Sequence, residues 1–328
     1  MKRIIECVPN FSEGINTGVI NAMANEIAGT TGVKLLNVDP GKDANRTVIT
    51  FAGEPEGVIE AAFLAIKKAG ELIDMRTQKG EHPRMGATDV CPLVPVSGVT
   101  MQEVVGYAAR LAERVGNELG IPVYLYEESQ PNKSRSDLAI IRSGEYEGFF
   151  SKIKQPGWQP DFGPLELDVK RGATVIGARN YLVAYNITLD TTSVPVANAI
   201  AYAVRQRGHK GVPGALKFVK AIGWYMEEYG AAQVSMNLTN ISQTPVHTVF
   251  EEVKAQAAKH GTSLTGSELI GLVPLNALLQ AGSFSRAQQG LQPDAAESEL
   301  VYTAVKYLKL DALGEFDPQK RVIEYLLN

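Results

Sequence analysis

The sequence predicts an α/β fold built from two ferredoxin-like βαββαβ subdomains, each with helices covering a sheet. Three observations predict it. The order strand, helix, strand, strand, helix, strand reads twice along the chain. The helices over Glu54 to Ile73, after Thr100 and after Thr244 each carry one apolar stripe, the mark of a helix laid against a sheet. Gln233 to Thr239 alternates Val234, Met236 and Leu238 with Ser235, Asn237 and Thr239, the period of a strand with one wet face.

In the first half, Arg3 to Val8 reads as a strand and Asn16 to Ala28 as a helix closed near Gly29. Val33 to Val38 is a second strand ending at a turn, Asp39-Pro40-Gly41, and Arg46 to Phe51 is a third. Glu54 to Ile73 places Val58, Ala61, Ala62, Ala65, Ala69, Leu72 and Ile73 at helical spacing. Val90 to Val96 is the next strand. Thr100 and Glu103 form a capping box that opens a helix ended by Gly120, and Pro122 to Tyr126 is a short strand.

In the second half, Tyr181 to Leu189, Leu216 to Tyr225 and Gln233 to Thr239 are strands, and Val194 to Arg205 is a helix behind Ser193. Thr244 is expected to cap a helix with Pro245 at its first position, and the apolar run Leu269 to Leu279 follows. Ser283 to Ser298 reads as a mobile polar loop before an amphipathic helix, Glu299 to Leu308. Glu127 to Gly177, rich in Pro, Gly, Ser and charge, connects the halves, although Trp158 and Phe162 are unlike a plain linker. The expected subdomains are 1–178 and 179–328.

The 328 residues carry 45% hydrophobic and 21% charged residues, with a mean hydropathy of −0.07. That is the composition of a globular protein, and no apolar run approaches the ~18 residues of a membrane span. The first residues are too short in apolar character for a secretory signal, so the expectation is a cytoplasmic protein. A net charge of −4 with scattered basic residues argues against nucleic acid as a partner. Cys7 and Cys91 sit in strand-like surroundings and read as buried small hydrophobes.

The candidate chemistry lies in Lys79 to Pro95, KGEHPRMGATDVCPLVP, where His82 sits among Glu81, Arg84 and Asp89. Gly80, Pro83 and Gly86 exclude a regular helix or strand, so the segment reads as an ordered polar loop feeding a strand. On composition alone it could equally be a solvated turn. No histidine pair has helical metal-ligand spacing, neither cysteine has a partner at zinc-site spacing, and Gly80 to Gly86 fits no phosphate-binding pattern. His209, in the turn RQRGHKGVPG, is held as a reserve candidate; His247 in the first turn of a helix and His260 at a helix end have structural readings.

That segment, with ECVPNFSEG, NRTV at Asn45 to Val48, DFGP at Asp161 to Pro164 and LIGLVPLNALL at Leu269 to Leu279, resembles glutamate formiminotransferase along essentially the whole chain. The resemblance implies two α/β subdomains with a folate-holding groove between them. It also implies transfer of the formimino group from N-formimino-L-glutamate to N5 of tetrahydrofolate, a step of histidine degradation, with His82 as the acid/base. Tetrahydrofolate would serve as co-substrate, with no metal. Folate binding is expected at the segment matching Gly163, Pro164, Leu165, Glu166, Leu167, Asp168, Val169, Lys170, Arg171 and Gly172, through the backbone more than through its side chains. The expected partners are these two small molecules, with neither nucleic acid nor membrane, and a homodimer is left open. In some relatives a separate helical cyclodeaminase is fused to the transferase. The short stretch after Gly282 leads to the expectation of a monofunctional form.

The reaction needs one group near neutrality to take a proton from the attacking amine and return one to the departing nitrogen, which suits an imidazole. The substrates carry carboxylates, so Arg46 and Arg84 are candidate contacts, although each judged alone reads more readily as a surface or structural charge. Asp39 is a candidate acceptor for the pterin ring or an ordinary turn aspartate. Two other classes compete: a folate-binding protein without turnover, which would not need His82, and a metal-independent amidine hydrolase, which would call for a nucleophile that the sequence does not display.

Overall fold

The structure, a computed structural model, describes residues 2–42, 44–80 and 83–327. The chain divides into two compact units, Met1–Arg179 and Asn180–Asn328. The first runs β1 (Ile4–Cys7), β2 (Asn10–Phe11), α1 (Thr17–Ala28), β3 (Val33–Gly41), β4 (Arg46–Gly53), α2 (Pro55–Leu72), β5 (Thr88–Ser97), α3 (Met101–Leu119), β6 (Val123–Leu125), α4 (Leu138–Arg142), α5 (Glu145–Lys152) and β7 (Thr174–Ala178). β1 and β2 behave as one interrupted strand lying between β4 and β5, antiparallel to both, while β3 pairs with β4 at the edge. The order β3, β4, β1/β2, β5 is the split βαβ arrangement.

The sheet then continues beyond that arrangement. β7 lies parallel to β5, and β6 parallel to β7. Parallel strands are stable when both faces are covered, and alternation along these strands supplies two cores. Cys91, Leu93, Val123 and Ile176 face α1, α2 and α3; Val90, Tyr124 and Val175 pack with Met85, Ile141, Phe149 and Trp158. The second core is made by α4 and α5, so the stretch expected as a connector is a folded layer. Its final strand, β7, was not expected from the sequence, because TVIGA is too short to stand out against its polar surroundings.

The second unit runs β8 (Val183–Leu189), α6 (Val194–Val204), β9 (Val219–Met226), β10 (Ala231–Leu238), α7 (Val246–Lys259), β11 (Leu264–Ile270), α8 (Leu275–Gln288), α9 (Glu297–Tyr307), α10 (Pro318–Arg321) and α11 (Ile323–Leu326). Its strands lie in the order β11, β8, β10, β9, all neighbours antiparallel, again the split βαβ arrangement. Tyr185, Ile187, Val234, Ile200, Val249 and Val253 form its core. No helix among the described residues is long and apolar enough to cross a membrane.

Three local expectations are corrected. Asp39-Pro40-Gly41 is not a turn: β3 continues through it, with Asp39 opposite Val48 and Pro40 opposite Thr47. Proline is tolerated there because β3 is an edge strand and needs no second partner. Thr244 does not cap α7; Pro245 holds the cap position, and the Thr244 hydroxyl donates to Lys217 O at 2.8 Å. The stretch from Ser283 is helical as far as Gln288, where α8 packs on α9 through small residues. A Cβ at Gly282 would lie 2.2 Å from Leu300 O, so the helices approach more closely than side chains normally allow. Small and polar residues on that face concealed the helix from a hydrophobicity pattern.

The capping box that opens α3 is present as expected: Glu103 N donates to the Thr100 hydroxyl, and Thr100 N donates to the Glu103 carboxylate at 2.8 Å. Thr100→Ala is expected to lower the stability of this unit by about 1 kcal/mol. Urea unfolding followed by Trp158 fluorescence in a Trp224→Phe background measures it, and an unchanged midpoint would show that the box contributes nothing.

Candidate active site in the N-terminal unit

Three of the unusual strings meet around the segment that precedes β5. Asn45 occupies the left-handed region, φ 44°, which asparagine tolerates better than other residues with a side chain. From there its carboxamide accepts from Gly14 N at 2.9 Å and donates to Lys79 O at 2.6 Å, while Gln78 Nε2 donates to Asn45 O at 3.0 Å. The Thr47 hydroxyl donates to Glu13 O, and the Ser12 hydroxyl to Gly86 O at 2.8 Å. NFSEG, NRT and the glycine-rich segment are therefore stitched together largely by side chains bonding to backbone, an arrangement that orders loops lacking ladder hydrogen bonds. Glu81 and the candidate acid/base His82 lie outside the described residues.

After His82 the chain is held on two sides. Arg84 is buried, and its fork is taken up within the protein: Nε donates to Gln78 Oε1 at 2.9 Å, and the two Nη atoms reach Glu147 at 2.9 and 2.8 Å and Glu145 at 2.9 Å. The hydrogen bond from Arg84 holds the Glu147 carboxyl below its ordinary pKa, and Glu147 in turn raises the guanidinium. Arg84 thus fastens the loop to the start of α5, with its donors committed to Gln78, Glu145 and Glu147. On the other side Ala87 N donates to Arg171 O at 2.8 Å and Ala173 N to Met85 O at 3.1 Å, with Gly86 bridged to Gly172. The expected folate segment thus ends against the expected catalytic segment.

That segment, 163–172, begins and ends on glycines in the left-handed region, Gly163 at φ 87° and Gly172 at φ 71°. A Cβ at Gly172 would come within 2.3 Å of Met85 O, so glycine is required both for conformation and for approach. Between them Asp168 organises the turn. Its carboxylate accepts from Lys170 N at 2.7 Å, Arg171 N at 3.2 Å and Arg171 Nε at 2.6 Å. Burial opposes ionisation of Asp168, but these donors outweigh it and hold its pKa below the usual range. Leu165 and Val169 stay exposed, at 60% and 49%. Lys170 Nζ donates to Glu71 O and Arg171 Nη1 to Leu119 O, so the basic side chains of the segment are used structurally.

Arg46 and Asp39 are brought to one face of the sheet. Gly41 stands opposite Arg46, and Asp39 and Asn10 both stand opposite Val48, so alternation places Asn10, Asp39 and Arg46 on the same side. Asp39 is exposed there. Arg46 is nearly buried: Nε and Nη2 donate to Asn10 Oδ1 at 2.9 and 2.7 Å, and Nη1 to Asp89 Oδ2 at 2.6 Å. Burial lowers the guanidinium pKa, with Asp89 opposing that shift and Arg142 adding to it. Asp89, with only 1% of its side chain exposed, also faces Arg142 Nη2 at 2.9 Å and accepts from Met85 N at 3.1 Å. Arg142 and the grouping of Asn10 with Asp89 went unnoticed in the sequence. They lie on separate elements, and Arg142 sits in a stretch whose composition suggests a linker.

The remaining histidines have structural surroundings. His209 exchanges two backbone hydrogen bonds with Val212 and stacks on Tyr202 at 4.3 Å. His247 stacks on Phe284 at 4.5 Å, its pKa lowered by burial. His260 caps α7.

Two outcomes follow from these ion pairs. Asp89→Asn strips the charge that two buried guanidiniums share and is expected to cost about 3–5 kcal/mol. The same Trp158 unfolding measurement checks it, and a loss under 1 kcal/mol, about the size of an ordinary neutral hydrogen bond, would contradict it. Because the folded-state pKa of Glu147 is depressed, its contribution is fully present above the ordinary glutamate range and is lost as the pH falls through the folded value. The stability difference between wild type and Glu147→Gln should therefore be present at neutral pH and vanish on acidification. A difference independent of pH would refute the pairing as its source.

Residues 4–179 match the formiminotransferase domain, N-terminal subdomain, and residues 184–328 match the formiminotransferase domain. The chain is 49% identical over all 328 residues to the formimidoyltransferase-cyclodeaminase of Rattus norvegicus, of which it covers 60%. It is 42% identical over 284 residues to the glutamate formimidoyltransferase of Streptococcus pyogenes serotype M1, covering 87% of this chain and 93% of that protein. Against the glutamate formimidoyltransferase of Thermoplasma acidophilum the identity is 43% over 283 residues, 86% of this chain and 91% of that protein. The chain spans about three fifths of the formimidoyltransferase-cyclodeaminases it matches. With both subdomains matched in order along its length, the chain belongs to the formiminotransferase family.

Proposed function

We propose that this protein transfers the formimino group from N-formimino-L-glutamate to N5 of tetrahydrofolate, releasing L-glutamate, with His82 moving the proton. The observation that carries the reading is the backbone pairing of residues 85–87 with 171–173, which sets the end of the segment holding His82 against the end of the segment 163–172. A folate bound along 163–172 then lies against residues 85–87, which follow His82 closely in the chain.

In this reading the bond from N5 to the formimino carbon forms as N5 loses a proton, and the carbon–nitrogen bond to glutamate breaks as that nitrogen gains one. One imidazole serves both steps, and such help is worth about 10²- to 10⁴-fold. Holding two substrates in line contributes at least comparably, which is the part played by the stitched loops. Arg84 acts as a positioning residue that fastens the loop to α5, and Asp39 and Arg46 share the face of the sheet on which the substrate would lie. The subdomains proposed for this arrangement are 1–178, with both loops, and 179–328. Main-chain contacts to folate are expected from the exposed first part of the segment, 163–166, because the backbone groups from Asp168 to Gly172 are largely hydrogen-bonded within the protein.

Incubating the purified protein with tetrahydrofolate and N-formimino-L-glutamate is expected to release L-glutamate only when both are present. His82→Ala is expected to fold and to lower that rate by about 10²- to 10⁴-fold. A folded variant at near-normal rate would remove His82 from the mechanism, and wild-type protein releasing no glutamate would refute the function.

A further inference from the structure

Arg46, Asp89 and Arg142 make an unusual buried group. Two guanidiniums bear on one carboxylate, and on a single oxygen of it: Asp89 Oδ2 lies 2.6 Å from Arg46 Nη1 and 2.9 Å from Arg142 Nη2. The other oxygen accepts from Met85 N at 3.1 Å. A guanidinium presents a planar fork that a carboxylate satisfies with two parallel hydrogen bonds; Arg46 spends Nε and Nη2 on Asn10 and Nη1 on Asp89, whereas Arg142 meets Asp89 through Nη2. Arg142 is left short, for its buried Nε has no hydrogen-bond partner. An unmade hydrogen bond on a buried charged group carries a substantial cost, and a second carboxylate accepting in parallel from Nε and an Nη atom would remove it.

The position of Arg142 is fixed by its neighbours. It is the last residue of α4, and the end of that helix is gripped by Lys152, whose ammonium donates to Ile140 O at 2.8 Å, Ile141 O at 2.7 Å and Ser143 O at 3.0 Å. Trp158 covers Lys152 Nζ at 3.9 Å from its ring centroid. The guanidinium is therefore presented by a clamped helix end, with 11% of its side chain exposed. Through Asp89 and Met85 it touches the stretch that follows His82, and through Arg46 it adjoins the Asn45 contact to Lys79 that precedes it.

We propose that Arg142, with the charge of Arg46 close by, forms an anion subsite that binds a carboxylate of the amino-acid substrate beside the transferred group. The identity of that anion, N-formimino-L-glutamate before transfer and L-glutamate after it, rests on the function proposed above; the subsite itself rests on the geometry. Asp89 serves to hold the two guanidiniums apart and oriented without neutralising both. Binding of a carboxylate there would fix the amino-acid end of the substrate and leave its nitrogen free for the transfer.

Arg142→Gln and Arg142→Lys in the full chain test this, with near-ultraviolet circular dichroism confirming that each folds. The expected result for Arg142→Gln is a rise of about 10- to 100-fold in KM for N-formimino-L-glutamate, with kcat and KM for tetrahydrofolate within about twofold of wild type. Arg142→Lys, which keeps the charge but loses the fork, is expected to fall between. Calorimetric titration with L-glutamate alone should show saturable binding by wild type that Arg142→Gln loses. An unchanged KM, or a parallel rise in both KM values, overturns the proposal. If wild type releases no glutamate in the transfer assay, the function fails separately. The titration then decides the subsite: binding lost in Arg142→Gln supports it, and no binding by wild type overturns it. Should Arg142→Gln fail to fold, Arg142→Lys decides by the same two measurements.

Discussion

The pairing of residues 85–87 with 171–173 is the constraint on which the rest of the N-terminal unit depends. It is possible only because Gly86 and Gly172 let two backbones approach closer than any side chain permits, and because Gly172 adopts a left-handed conformation. From that contact β7 continues as a parallel neighbour of β5, and β6 joins β7. A sheet that would have closed as a four-position ferredoxin-like unit is thereby widened. The widening in turn exposes a second apolar face, which α4 and α5 must cover. Those two short helices supply Glu145 and Glu147 to anchor Arg84, and Arg142 to the buried charges.

Charge placement in this unit follows from burial. Arginines that remain near water, such as Arg110 with Glu56, make surface pairs of little consequence for stability. Arg46 and Arg142 are removed from water, where a lone charge is costly and a shared carboxylate only partly compensates. The cluster is tolerated because Asp89 and Arg46 each have more than one contact and because a clamped helix end holds Arg142. Such pre-ordering is what a site needs if it is to meet an anion without reorganising. The C-terminal unit, taken by itself, shows no comparable grouping of buried arginines among its described residues. There Arg205 is spent on Gly208 O and Ala221 O, tying its own turn.

Some of this was legible in the residues alone. The alternation of Gln233 to Thr239, the apolar stripes of α2 and α3, the Thr100 capping box and the Gly120 stop were each set by local chemistry: side-chain period, a hydroxyl facing unpaired N–H groups, and a left-handed turn. The strings around Asn45 and Lys79 stood out by their resemblance to the family, and the structure supplies the reason at Asn45, whose left-handed backbone suits asparagine. What the sequence could not show was partnership across long separations. β7 is five small residues whose strand character comes from β5 and β6, and α8 has a face of alanine and glycine that only α9 makes sense of.

The same division holds for the candidate site. Local chemistry pointed by itself to a polar, glycine-punctuated loop ahead of the strand Val90 to Val96, whereas the segment 163–172 was marked only by its resemblance to the family, and its turn about Asp168 came from the structure. Only the tertiary structure decided that Arg84 is spent on Glu145 and Glu147, that Arg46 shares Asp89 with Arg142, and that Asp39 stays exposed on an edge strand. The physical reason is that a charge is read from one residue, whereas its pairing and its burial depend on residues far away in the chain, brought beside it by the packing of a sheet that local pattern did not show to be so wide.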